Sequence, residues 1–180
     1  MKRESWKLLV VDDEPEVHKV TELVASEMMF DGLPLNLLFA DSKQSAMEVL
    51  NENPDTSVIL LDVVMETDHA GLDFVKYIRE ELKNDCLKII LRTGQPGSAP
   101  ERETIEEYEI NDYLPKAEVG PNRLFTSIKT ALRDYTHYEI IQEQKIQIEK
   151  DQKVLLVIGF FVFILVLFQV FVLYYVNKLL

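Results

Sequence analysis

KLLVVDDEPEV, from Lys7 to Val17, decides how the chain is read. Four apolar residues, Leu8 to Val11, run without interruption into Asp12, Asp13 and Glu14, and Pro15 follows. A continuous apolar run of this kind is the mark of a strand covered on both faces. The acids at its end have a plain explanation, because negative charge ahead of a proline suits the start of a helix. They also have a chemical one, because carboxylates gathered at a strand end make an oxygen-rich site for a hard cation.

Outward from this stretch, strand and helix patterns alternate. Val17, Val20, Val24 and Met28 recur at helical spacing over 16–29. The turn signal DGLP, Asp31 to Pro34, precedes an apolar run over 35–40. Ser42 is placed as the N-cap of a second helix, which ENPD, Glu52 to Asp55, breaks. A short strand over 57–61 ends at Asp62, and an amphipathic helix covers 71–82. A fourth strand is read at 87–91, a charged helix at 100–108 and a fifth strand around Tyr113 and Leu114. A last long helix begins at Arg123. Five βα units imply an α/β fold, with a five-stranded parallel sheet covered by helices on both faces. The flavodoxin-like order 2-1-3-4-5 is the expected topology.

Composition sets the outer limits. The net charge is -12, from 31 acids against 19 bases, which excludes a nucleic-acid partner needing a basic footprint. With Cys86 alone there is no intrachain disulfide. The N-terminus has no apolar stretch long enough for a signal peptide. The segment 154–176, VLLVIGFFVFILVLFQVFVLYYV, has no charged residue. As a helix it would reach about 35 Å, against a hydrocarbon core of about 30 Å. Tyr174 and Tyr175 stand at its far end, and Lys153 and Lys178 bracket it. A transmembrane helix is the expectation.

In open α/β sheets the functional crevice lies beyond the carboxyl ends of the strands. There the first strand leads to Asp12 and Asp13, the third to Asp62 and the fourth to Thr93, and Lys116 follows the fifth. Two like charges about 4 Å apart repel by roughly 4 kcal/mol at a surface-like dielectric. One lysine does not balance three carboxylates, so Mg2+ is the expected partner.

The motifs VVDDEP, ILLDVVM, LRTG and DYLPKAE together resemble those of the response-regulator receiver family, over about 7–135. The resemblance implies that Asp62 is the phosphoacceptor. It implies that Asp13 binds Mg2+ directly, that Asp12 helps through water and that the backbone carbonyl of Val64 is a further ligand. Thr93 becomes the switch hydroxyl, Lys116 the partner of a phosphoryl oxygen, and Tyr113 the aromatic that moves with Thr93. The segment TGQPGSAPERETIEEYEINDY, from Thr93, is similar to receivers that head multidomain regulators, often with cyclic-nucleotide phosphodiesterase outputs. The family usually carries Pro directly after the lysine, where this chain has Ala117.

The expected organisation is a receiver over 1–135, a helical stalk over 136–153, a transmembrane helix over 154–176 and a tail over 177–180. Ile141, Ile148 and Leu155 repeat at seven, which leaves two alternatives open for the stalk, a homodimer or a solvated helix. The expected protein is a receiver on the cytoplasmic side of the inner membrane, held by a single C-terminal anchor. It would take phosphate from a sensor histidine kinase and signal through protein contacts. It is not expected to be an enzyme beyond its own phosphorylation and dephosphorylation. Two alternatives stand beside this one. An aspartyl-phosphate phosphatase would want a second Asp two residues after the nucleophile, where Val64 stands. A pseudo-receiver scaffold would not need the reactive residues at all.

Overall fold

The computed structural model describes residues 3–94, 102–116 and 120–179. The chain divides into two compact units, Met1–Tyr138 and Glu139–Leu180.

The first unit is built on β1 (Trp6–Val11), β2 (Met29–Phe30), β3 (Leu33–Ala40), β4 (Val58–Asp62), β5 (Lys88–Thr93) and β6 (Asp112–Pro115). These form one sheet in the order β2-β3-β1-β4-β5-β6. All pairings are parallel except β2 with β3. The sheet therefore has six strands where five were expected. Without β2, the strand order is the flavodoxin-like one. The extra strand comes from the turn at Asp31 and Gly32, whose φ angles of 49° and 76° close an antiparallel hairpin. A two-residue Asp-Gly loop with both φ positive is the turn whose twist suits a hairpin. Trp6 Nε1 donates to the Phe30 carbonyl at 2.9 Å and ties that hairpin to β1.

Alternate residues of the central strands feed two cores. Leu9, Val11, Ile59, Leu61, Ile89 and Leu91 face one side, with Leu50 of α2 (Lys43–Glu52) and Phe74 of α3 (Ala70–Lys76). Leu8, Val10, Leu60 and Ile90 face the other, with Ala25 of α1 (Pro15–Ala25) and Leu124, Ile128 and Leu132 of α5 (Pro121–Leu179). Burial on both faces explains why the strands carry no polar alternation.

Local chemistry sets the helix ends. Ser42 caps α2 reciprocally with Ser45, as its residue type leads one to expect. The helix after Met65 is not uniform. Beyond α3 the backbone widens into a π-helical turn over Tyr77–Glu81, where the Leu82 amide donates to the Tyr77 carbonyl at 3.0 Å. The helix α4 spans Arg102–Glu107, and the start expected at Pro100 lies outside the described residues. So do residues 95–101 and Ala117. In the second unit α5 continues through the apolar stretch. That stretch holds the one helix among the described residues long and apolar enough to cross a membrane, and none of its most apolar window is buried.

Candidate functional site

The register of the parallel strands assembles the site. Val11 pairs with Leu61 and Asp62 pairs with Arg92. Asp12 therefore lies one step beyond the end of the β1–β4 ladder, level with Asp62, and its amide is held by the Ala40 carbonyl at 3.1 Å. Asp12 is 1% exposed and Asp62 3%. Carboxylate oxygens of Asp12, Asp13 and Asp62 all lie within 4.8 Å of one another, with Asp13 exposed to solvent.

Lys116 enters this cluster from the end of β6. Its backbone amide donates to the Thr93 carbonyl at 2.7 Å, which fixes where its side chain begins. Its Nζ donates to Asp62 Oδ2 at 2.7 Å, Glu14 Oε1 at 2.8 Å and Asp12 Oδ1 at 3.1 Å. Burial opposes the ammonium charge, but the bonds to Asp62, Glu14 and Asp12 outweigh it and hold the lysine pKa above its ordinary value. Asp62 moves the other way from a simple ion pair. Burial pushes its pKa up, and the bond from Lys116 only partly reverses this. One ammonium shared among three carboxylates does not offset the desolvation of Asp62.

The acids after β1 do not cap α1. Glu14 occupies the N-cap position but its side chain makes no capping bond. It reaches Lys116 instead, which holds the Glu14 pKa below the usual range. Asp12 Oδ1 accepts from the Glu14 amide at 3.0 Å and so shapes the turn into Pro15. Of the two explanations for the acid run, the geometry favours the chemical one.

The remaining expected residues lie close by. The Val64 amide lies 3.4 Å from Asp62 Oδ1. Thr93 and Tyr113 pair with each other through a side-chain hydrogen bond, and burial raises the phenol pKa.

Three site residues escaped the sequence reading. Glu14 had a signal, since it continues the acid run. Arg92 stands directly before Thr93 in LRTG, where the hydroxyl is the more evident chemical signal. Gly71 lies in the first turn of α3 against the end of β4, where an added Cβ would lie 2.0 Å from the Asp62 carbonyl oxygen. Nothing in the sequence marks that approach.

The donor set fits a hard divalent cation. It is all oxygen, it is crowded, and Asp12 Oδ2 is buried with no hydrogen bond, having only the Lys116 ammonium 3.0 Å away.

Residues 8–129 match the family model of the response regulator receiver domain. The chain belongs to the receiver family. Its receiver is a module of two-component signalling, in which such domains interact with histidine kinases. It is 44% identical over 144 residues to the 3'3'-cGAMP-specific phosphodiesterase 2 of Vibrio cholerae, a match covering 80% of this chain and 28% of that protein. It is 31% identical over 110 residues to a chemotaxis protein CheY homolog of Campylobacter jejuni, covering 61% of this chain and 80% of the relative. A receiver domain crystal structure from Clostridium thermocellum superposes with a TM-score of 0.62 at 22% identity, over 74% of this chain and 98% of that one. The Vibrio relative corrects one expectation. The chain was read as a phosphoacceptor and not an enzyme, yet this strong match is to an enzyme.

Proposed function

We propose that the receiver accepts a phosphoryl group on Asp62 from a sensor histidine kinase, with Mg2+. The observation that carries this is the convergence of Asp12, Asp13 and Asp62 with the Lys116 ammonium at the end of the parallel sheet. A carboxylate oxygen of Asp62 attacks phosphorus on the donor, an O–P bond forms, and the N–P bond to the donor imidazole breaks with its electron pair leaving on nitrogen. Mg2+ held by Asp12, Asp13, Asp62 and the Val64 carbonyl would supply neutralising charge to the phosphoryl oxygens. Lys116 neutralises a phosphoryl oxygen from the other side, and it must release part of its present bond to Asp62 to do so. Thr93 then turns toward the phosphoryl group, and its partner Tyr113 follows.

Asp62→Ala tests the assignment. With acetyl phosphate and Mg2+ the wild-type chain should incorporate label, and the variant should fall to background. Undiminished labelling of the variant would refute the phosphoacceptor role.

Two further elements belong to this reading. Residues 154–176 anchor the receiver at the cytoplasmic face of the inner membrane, supported by their length, their lack of charge and their exposure. Residues 136–153 act as the stalk. The 44% identity to the Vibrio enzyme favours placing the chain in 3'3'-cGAMP hydrolysis, with receiver phosphorylation as the control. Incubating the full chain with 3'3'-cGAMP, with and without beryllofluoride as a phosphoryl mimic, tests this. Release of linear dinucleotide supports hydrolysis by the chain itself.

A further inference from the structure

Arg92 is a buried cation for which the phosphoacceptor reading has no role. It sits on β5 opposite Asp62 of β4, and residues paired in this way project from the same face of a sheet. It is only 6% exposed. Its Nη1 donates to Thr21 Oγ1 on α1 at 3.2 Å, and its Nε is buried without a partner. Thr21 donates in turn to the Val17 carbonyl at 2.8 Å, so the guanidinium is steered toward α1. The acids that act on it electrostatically are Asp12, Asp62 and Glu14, and each of them accepts a hydrogen bond from the Lys116 ammonium.

A guanidinium stays charged throughout the accessible pH range. Burying one with an unsatisfied N–H is costly unless neighbouring negative charge offsets it. Here that charge is the carboxylate row. The relation is mutual: Arg92 holds a permanent positive charge next to the place where a divalent cation would bind. Unlike Lys116, it is not drawn into the hydrogen bonds of the cluster.

We propose that Arg92 is a fixed counter-charge that weakens divalent-cation binding at the Asp12, Asp13 and Asp62 pocket and so sets the concentration at which the pocket loads. This rests on reading those three residues as a cation site. It makes Arg92 a positioning residue for charge, acting through the carboxylates.

The test is calorimetric titration of the full chain in detergent with magnesium chloride. Arg92→Met keeps an unbranched apolar stem and removes the charge. It should tighten Mg2+ binding about tenfold, the order expected when one nearby like charge is removed at a water-like dielectric. Arg92→Lys should stay within about twofold of wild type. Thr21→Val, which removes the hydrogen bond and keeps the charge, should also leave the affinity unchanged. If the Met variant does not fold, Arg92→Gln, neutral and still able to bond Thr21, carries the same expectation. Unchanged or weaker Mg2+ binding in the neutral variants overturns the proposal, and so does a Thr21→Val variant that reproduces their effect. Asp13→Asn separates the two levels. If wild type binds Mg2+ and Asp13→Asn loses it while Arg92→Met has no effect, only the role of Arg92 falls. If wild type shows no Mg2+ binding at all, the cation site itself falls and Arg92 with it.

Discussion

Strand β4 and the apolar half of α5 are built from the same kinds of residue and meet opposite surroundings. All five residues of Val58–Asp62 are buried. On α5, Leu165, Phe168 and Leu173 are 61%, 63% and 64% exposed. Composition alone does not determine burial; the available partner does. The strand has a neighbour on each edge and a core on each face. The helix satisfies its own backbone and needs cover only for its side chains, which suits a hydrocarbon solvent. Asp62 shows what protein cover adds, because only a rigid buried strand end holds a carboxylate beside two others.

The largest expected effect tests the helix side of this comparison. Leu165→Arg puts a charge in the middle of the apolar stretch. A mid-membrane arginine costs roughly 2.5–3.5 kcal/mol on insertion scales, so partition into membranes should drop on the order of a hundredfold. Liposome flotation of the full chain reads this directly. A variant that floats as well as wild type removes the membrane from the explanation of that exposed surface.

Gly71→Ala tests the strand side and should have the next largest effect. The new methyl would meet the Asp62 carbonyl oxygen at 2.0 Å and Val63 Cα at 2.8 Å, and neither is the end of a flexible side chain. The Gly71 amide also donates to the Val63 carbonyl at 3.1 Å, so α3 cannot back away without losing that bond. Overpacking of this kind costs about 1–3 kcal/mol. Chemical denaturation should show a lower midpoint, with weaker labelling of Asp62 because the strand end moves. An unchanged midpoint would mean that α3 does not rest on β4.

The two regions were also unequally legible in sequence. The order of strands and helices could be read because fully buried strands are continuous apolar runs, and their ends carried the acids and Lys116. The hairpin of β2 and β3 was missed although Asp31-Gly32 signals it. The apolar residues beside it, Met29, Phe30 and Leu33, are too few to read as strands alone. Gly71 was invisible because a close backbone approach has no local pattern. The burial of Arg92 was not legible because the fourth strand reads as ending one residue earlier, and the cover over Arg92 depends on α1 and the carboxylate row, which only the fold brings together. In the apolar part of α5, length and absence of charge are properties of the sequence, and the structure adds that the segment is helical with exposed side chains.

The smallest expected effect lies at the opposite end of the sheet, where a polar pair is exposed. Lys7 Nζ meets Asp55 Oδ1 at 2.6 Å and Asn53 Oδ1 at 3.0 Å, while the Asp55 side chain is 57% exposed. The hydrogen bond from Lys7 is the main cause holding the Asp55 pKa below its ordinary 3.8. A depressed carboxylate pKa means the folded chain binds its proton less readily than the unfolded one. Its contribution is therefore fully present above the ordinary value and is lost as pH falls through the lower folded value. Solvent screening limits it to about 0.2–1 kcal/mol. Lys7→Met should lower stability by that amount at pH 7, and the gap to wild type should close on acidification and shrink in high salt. A gap that persists undiminished in acid would assign the loss to packing of the lysine stem rather than to its charge. The exposed pair would then owe its stability to the same side-chain cover that distinguishes β4 from α5.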